Sequence, residues 1–159
     1  MVKRILFLVS VSFFCIAMIS FESVACCDNK PVLEDVAEWS KHIKNDPSRV
    51  DKILKCSVYV WKNSDGAIRW EISDFYLETL LSYPEAFMAF MNAHNEVFRE
   101  WLRDINQLSF TWYKETPSPL EAKRKEIIVF LERLDEQQYA SIKTHILKKL
   151  KNLQIRQID

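Results

Sequence analysis

From residue 31 onward, apolar residues recur in steps of three and four, the period of helices that bury one face. Pro31, Pro47, Pro84 and Pro119 stand at first-turn positions, where a missing N–H costs a helix nothing. Asp46 is a natural N-cap for a helix from Pro47 to Trp61, with Val50, Ile53, Leu54, Ser57, Val58 and Trp61 on one face. Cys56, Tyr59 and Val60 make its other side apolar as well, which predicts a central helix. The chain's only glycine, Gly66 in "NSDG", is expected to close that helix in a left-handed conformation.

The next helix runs from Ala67 to Tyr83, with Ile72, Phe75, Tyr76, Leu80 and Tyr83 as its stripe. Ser82 and Glu85 bracket Pro84 as a capping box. They open one long helix to Leu108 whose buried face reads Phe87, Phe90, Met91, His94, Val97, Phe98, Trp101, Ile105 and Leu108. Glu96 with Arg99, and Glu100 with Arg103, read as solvated ion pairs three residues apart. "SFTWYKETPSP" then breaks the period, and Phe110, Trp112 and Tyr113 fall in what reads as a surface connection. Ser118 and Glu121 form a second capping box, starting a helix to Leu134. Asp135 and Gln138 start the last helix, which carries Tyr139, Ile142, Ile146, Leu150 and Leu153 inward. The expectation is an all-α domain of about six helices in three antiparallel hairpins, over residues 31–61, 67–108 and 119–155. Both a solenoid stack and an irregular bundle satisfy it.

Composition agrees, since one glycine and five prolines are too few turn residues for a sheet of many strands. A length of 159 residues suits a single domain. Zero formal net charge supplies no bulk field toward nucleic acid or an anionic membrane. "DGAIRWEISDFYLETLLSYPEAFMAFM" resembles a HEAT-type unit, in which one helix ends before a proline and the next begins with an aromatic face. The resemblance implies stacked α-hairpins.

The first 25 residues follow a different rule. Lys3 and Arg4 precede an apolar run from Ile5 to Phe21, and "ESVA" closes it with small residues at Ser23 and Ala25. That layout is a secretory signal, so export and cleavage before Cys26 are expected, leaving residues 26–159 as one domain. Loss of Lys3, Arg4 and Glu22 takes the formal charge from zero to minus one. "SVAC" also resembles a bacterial lipobox, with Ser23 where that family places Leu, Val or Ile. The resemblance implies acylation of Cys26 and a membrane tether. Simple release into a periplasm or secreted fluid, and retention as an uncleaved anchor, are the alternatives. Export exposes the remaining thiols to an oxidant, which makes Cys27 and Cys56 a candidate disulfide. Such a bridge is worth roughly 3.6 kcal/mol in the chain-entropy model. The alternative for Cys56 is a small buried apolar residue.

Candidate chemistry is sparse. His94 is the one histidine on an apolar stripe, but neither Glu-x-x-His nor His-x-x-x-His accompanies it, so no metal set is expected. His42 and His145 lie on polar flanks. No nucleophile motif, phosphate-cradling loop or cofactor signature occurs. Basic residues gather late, from Lys123 to Lys125 and again from Lys143 to Arg156. The function expected is an exported binding or scaffolding module that contacts an unidentified protein through Phe110, Trp112 and Tyr113, with no cofactor and no nucleic-acid partner. The rival readings are a small exported enzyme using His94 as acid or base, and a membrane-surface protein using its basic C-terminal helix.

Overall fold

The computed structural model describes residues 33–112, 119–135 and 137–158. The leader, Cys26, Cys27, the Pro31 helix start, Tyr113 and Ser118 lie outside them. Helix α1, Leu33–Asn45, buries Val36, Trp39 and Ile43 in steps of three and four. Asp46 caps the next segment as expected, its Oδ1 accepting from the Ser48 N–H at 3.2 Å and the Ser48 hydroxyl at 2.6 Å. What it caps is a single 3₁₀ turn, Pro47–Arg49, and α2, Val50–Asn63, continues from it.

Gly66 does have φ +37°, but it is the first residue of α3, Gly66–Ser82, rather than the end of α2. The last carbonyls of α2 are served from the following helix. Arg69 Nε donates to the Ser64 carbonyl at 2.9 Å, and its Nη2 to the Trp61 carbonyl at 3.0 Å. Its guanidinium also sits 4.9 Å from the Trp61 ring centroid, a cation–π contact.

The central helix is α3, not α2. Tyr59 on α2 is 45% exposed, so that helix does have a wet side. In contrast α3 touches α1, α2, α4 (Pro84–Ala93) and α5 (Asn95–Ser109). Its buried residues, Ile72, Phe75, Tyr76, Leu77 and Leu80, point in several directions to meet them.

The long helix predicted from Pro84 to Leu108 breaks at His94, which has φ −115° and ψ 53°. Backbone bonds bridge the break: the His94 N–H donates to the Phe90 carbonyl at 2.9 Å, and the His94 carbonyl accepts from Phe98 at 3.0 Å. The apolar period therefore continues through it. Both halves pack on α3, and α4 also contacts α2. The Ser82 capping box does not form. Tyr83 is the N-cap residue and makes no capping side-chain bond. Its hydroxyl instead donates to the Ile43 carbonyl, 2.9 Å away at the end of α1.

After α5, Thr111–Trp112 forms a two-residue strand β1 that pairs in parallel with β2, Arg156–Gln157. Helices α6, Leu120–Arg133, and α7, Ala140–Asn152, form the last hairpin between them. The last helix starts at Ala140, with Tyr139 rather than Asp135 at its N-cap. The all-α expectation holds, with seven α-helices among the described residues because one predicted helix is split. Trp39–Phe75 and Lys123–Asp74 join α1, α3 and α6, while Trp61–Glu100 and Phe98–His145 join α2, the α4–α5 pair and α7.

Tyr76 is the hub of the core. Its ring lies 5.8 to 6.3 Å from those of Phe90, Trp101, Phe75, Trp61 and Phe87, which brings α2, α3, α4 and α5 together. Its hydroxyl shares a 2.8 Å hydrogen bond with Ser57, which also donates to the Leu54 carbonyl at 2.6 Å. Burial pushes the Tyr76 hydroxyl pKa up, so the phenol stays neutral. A second buried polar link joins the Trp101 indole N–H to Ser73 at 2.9 Å, and Ser73 to Ser109 at 2.6 Å. Tyr76→Phe should cost about 1 kcal/mol and Tyr76→Ala about 3 to 5 kcal/mol in urea denaturation, because only the second opens a cavity among the rings. Gly66→Ala should cost about 1 kcal/mol through its positive φ, although a methyl there meets no atom within 4 Å.

Candidate functional site

The aromatic residues expected to mark a contact surface are dispersed. Phe110 is fully buried, a core side chain rather than a surface anchor. The β1–β2 pairing is the reason: the Phe110 carbonyl accepts from Arg156 at 3.1 Å and the Trp112 carbonyl from Ile158 at 2.8 Å, pinning the segment against the end of α5. Trp112 is half-buried on β1, and Tyr113 lies outside the described residues.

His94 is half-buried at the α4–α5 junction, with its ring 4.8 Å from that of Phe90. Among the described residues no group of three or more His, Cys, Asp or Glu side chains could hold a metal ion. The late basic residues are largely engaged within the fold. Arg124 grips Glu121 through two nitrogens and donates to the Leu150 carbonyl at 2.8 Å, while Lys143 donates to the Leu134 carbonyl. Lys123 pairs with Asp74 at 3.1 Å, and Lys151 with Glu132 at 2.6 Å. These ties fasten the last hairpin and compete with a role in binding a membrane surface. No helix among the described residues is long and apolar enough to cross a membrane.

Cys56 is fully buried and disulfide-bonded. It is the one cysteine among the described residues, so its partner lies outside them.

A concave site lies between α5 and α7, a groove of about 530 Å³. Phe98, Leu102 and Ile142 supply its apolar side chains, and Asn92, Asn95 and Ser141 its neutral polar ones. The ionisable side chains that line it are Arg99, Arg103, His145 and Lys149, with no carboxylate. His145 Nδ1 lies 2.7 Å from the Ser141 carbonyl, and Lys149 Nζ donates to the Arg103 carbonyl at 3.0 Å.

This single sign arises from how α5 distributes its charges. Glu96 and Glu100, one turn apart, turn toward α2, where Glu96 takes Lys62 at 3.0 Å and Glu100 accepts the Trp61 indole N–H at 2.9 Å. Arg99 and Arg103, also one turn apart, line the α7 side. The expected Glu96–Arg99 and Glu100–Arg103 surface pairs are thus replaced by contacts to different neighbours. Sequence spacing revealed the charges, but only the positions of α2 and α7 show how they separate. Asp104 is the local exception, holding Arg103 through two bonds of 2.7 Å just outside the lining.

No protein family matches the chain, and no curated protein or solved structure is significantly similar to it.

The hydrogen bonds from Arg103 hold the Asp104 carboxyl below its usual range, against a smaller opposing effect of burial. Its stabilising contribution is therefore present above the ordinary aspartate pKa and fades as pH falls through the lowered folded value. Denaturation midpoints measured from pH 7 down to pH 2 should drop less for Asp104→Asn than for the parent protein across that acid limb.

Proposed function

We propose that this chain is an exported, all-helical binding module that acts by protein contact, with the α5–α7 groove as its contact surface. The observation that carries the binding reading is the sign of that groove: every ionisable side chain lining it is basic, on a chain of zero formal net charge. A surface that spends its carboxylates on one side of a helix and its guanidiniums on the other is suited to recognition of an opposite charge.

Export is supported by two independent features. The first 25 residues have the layout of a secretory leader, and Cys56 is held in a disulfide, a bond that persists in oxidising compartments. We assign Cys27 as the partner of Cys56, which leaves Cys26 at the new N-terminus, either free or acylated as a membrane tether. The stacked arrangement of hairpins supports a scaffold of the HEAT-like kind.

Mass spectrometry of the protein from its native host should find a chain beginning at Cys26, with an added diacyl or triacyl mass if the lipobox is used. An intact Met1 on a soluble cytosolic chain would overturn export. Under denaturing conditions Cys56 should resist alkylation until a reductant is added, and a peptide map should link it to Cys27. Full labelling without reductant would remove the bridge from the argument.

A further inference from the structure

We infer that Asp65–Gly66, the turn between α2 and α3, is a self-modification site, where the Gly66 backbone nitrogen attacks the Asp65 carboxyl and the chain isomerises to isoaspartate. The site is independent of the α5–α7 groove and of export.

The chain has one glycine, and an aspartate precedes it, so this is its one Asp–Gly step. Both residues are exposed. Asp65 is the N-cap residue of α3, yet its side chain makes no capping bond, and among the described residues it enters no ion pair. The Gly66 N–H, the first of the helix, likewise donates to no acceptor among them. Electrophile and nucleophile are therefore adjacent and both unengaged. Glycine also leaves the approach open, since no atom stands within 4 Å of where a Cβ would be. Ring closure turns the Asp65 Cα–C bond away from its ψ of −179°. The backbone contact that resists this turn runs from the Arg69 N–H to the Asp65 carbonyl, and at 3.5 Å it is a weak one.

Comparable groups nearby are held. Asn63 could close the same ring, but its Nδ2 donates to the Tyr59 carbonyl at 2.8 Å. Asp74 and Asp104 sit inside α3 and α5, followed by Phe75 and Ile105, whose N–H groups belong to the helical ladder.

The step balances with water alone. The Gly66 nitrogen forms a bond to Asp65 Cγ and gives up its proton, which leaves with the carboxyl OH as water, and a five-membered succinimide results. A water molecule then opens the ring. Cleavage between the nitrogen and Cγ restores aspartate, whereas cleavage at the α-carbonyl carries the chain through Cβ and Cγ as isoaspartate. The product adds one carbon to the α2–α3 link, which shifts Arg69 relative to the Ser64 and Trp61 carbonyls it serves.

The test incubates the mature, disulfide-intact protein for several weeks at body temperature, folded and in guanidinium chloride. A methyltransferase specific for isoaspartate and electron-transfer fragmentation of the peptide containing residue 65 read the product. Isoaspartate should accumulate at residue 65 in the folded protein and stay below detection at Asp74 and Asp104. The folded rate should lie within about tenfold of the denatured rate, the factor that one hydrogen bond's net worth represents. Asp65→Glu, whose ring would be six-membered, should abolish the signal at that residue, and Gly66→Ala should slow it by placing a methyl beside the nucleophile. Circular dichroism should show both variants folded. No isoaspartate at residue 65, equal amounts at Asp74 and Asp104, product in guanidinium alone, or a signal at residue 65 that survives Asp65→Glu would each overturn the inference.

Discussion

The shared hydrogen bond between the Tyr76 and Ser57 hydroxyls, 2.8 Å long and fully buried, is the point on which the rest of the architecture turns. A phenol in the middle of an apolar core loses the water around its oxygen, and an unpaired hydroxyl there would cost about 1 to 3 kcal/mol, a large share of what the ring contributes. Ser57 removes that cost and fixes the distance between α2 and α3. With the hydroxyl held, the ring meets five other aromatic residues, Trp101 among them at an interplanar angle of 89°. Edge-to-face geometry is directional, so one buried bond sets the relative positions of several helices rather than merely adding to a nonspecific core.

Much of the helical framework was legible in the sequence, because an apolar period of three to four residues is a local statement that tertiary contacts rarely contradict over long segments. The Asp46 cap was readable for the same reason: its acceptor and the N–H it serves are two residues apart. What remained hidden depended largely on residues distant along the chain. The end of α1 is capped by Tyr83, separated from Ile43 by forty residues, and no local window on the sequence joins those partners. Arg69 lies only five and eight residues from the carbonyls it serves at the end of α2, but its basic charge carried no sign of which way it would turn. His94 shows the same limit in another form, since the break there has neither proline nor glycine to announce it.

The candidate site was the least legible part. The charges of α5 were plain, and helical spacing made Glu96–Arg99 and Glu100–Arg103 look self-paired. Neighbouring helices decided otherwise, offering Lys62 and Trp61 to the acids on one side and a hollow to the bases on the other. Conversely, Phe110 looked accessible because the segment around it lost its helical period, whereas a short parallel pairing with the C-terminal end of the chain draws it into the core. A break in helical pattern marks a change of backbone conformation and says little about which way the side chains turn.

That parallel pairing has a consequence for how the α6–α7 hairpin is held to the rest of the fold. Here the chain on either side of the α6–α7 hairpin is clasped together, Thr111 beside Arg156 and Trp112 beside Gln157. The hairpin is thereby a closed loop anchored at its base, and peeling it away means unzipping a backbone ladder as well as separating side chains. Two residues of strand thus serve as the latch on a pair of helices.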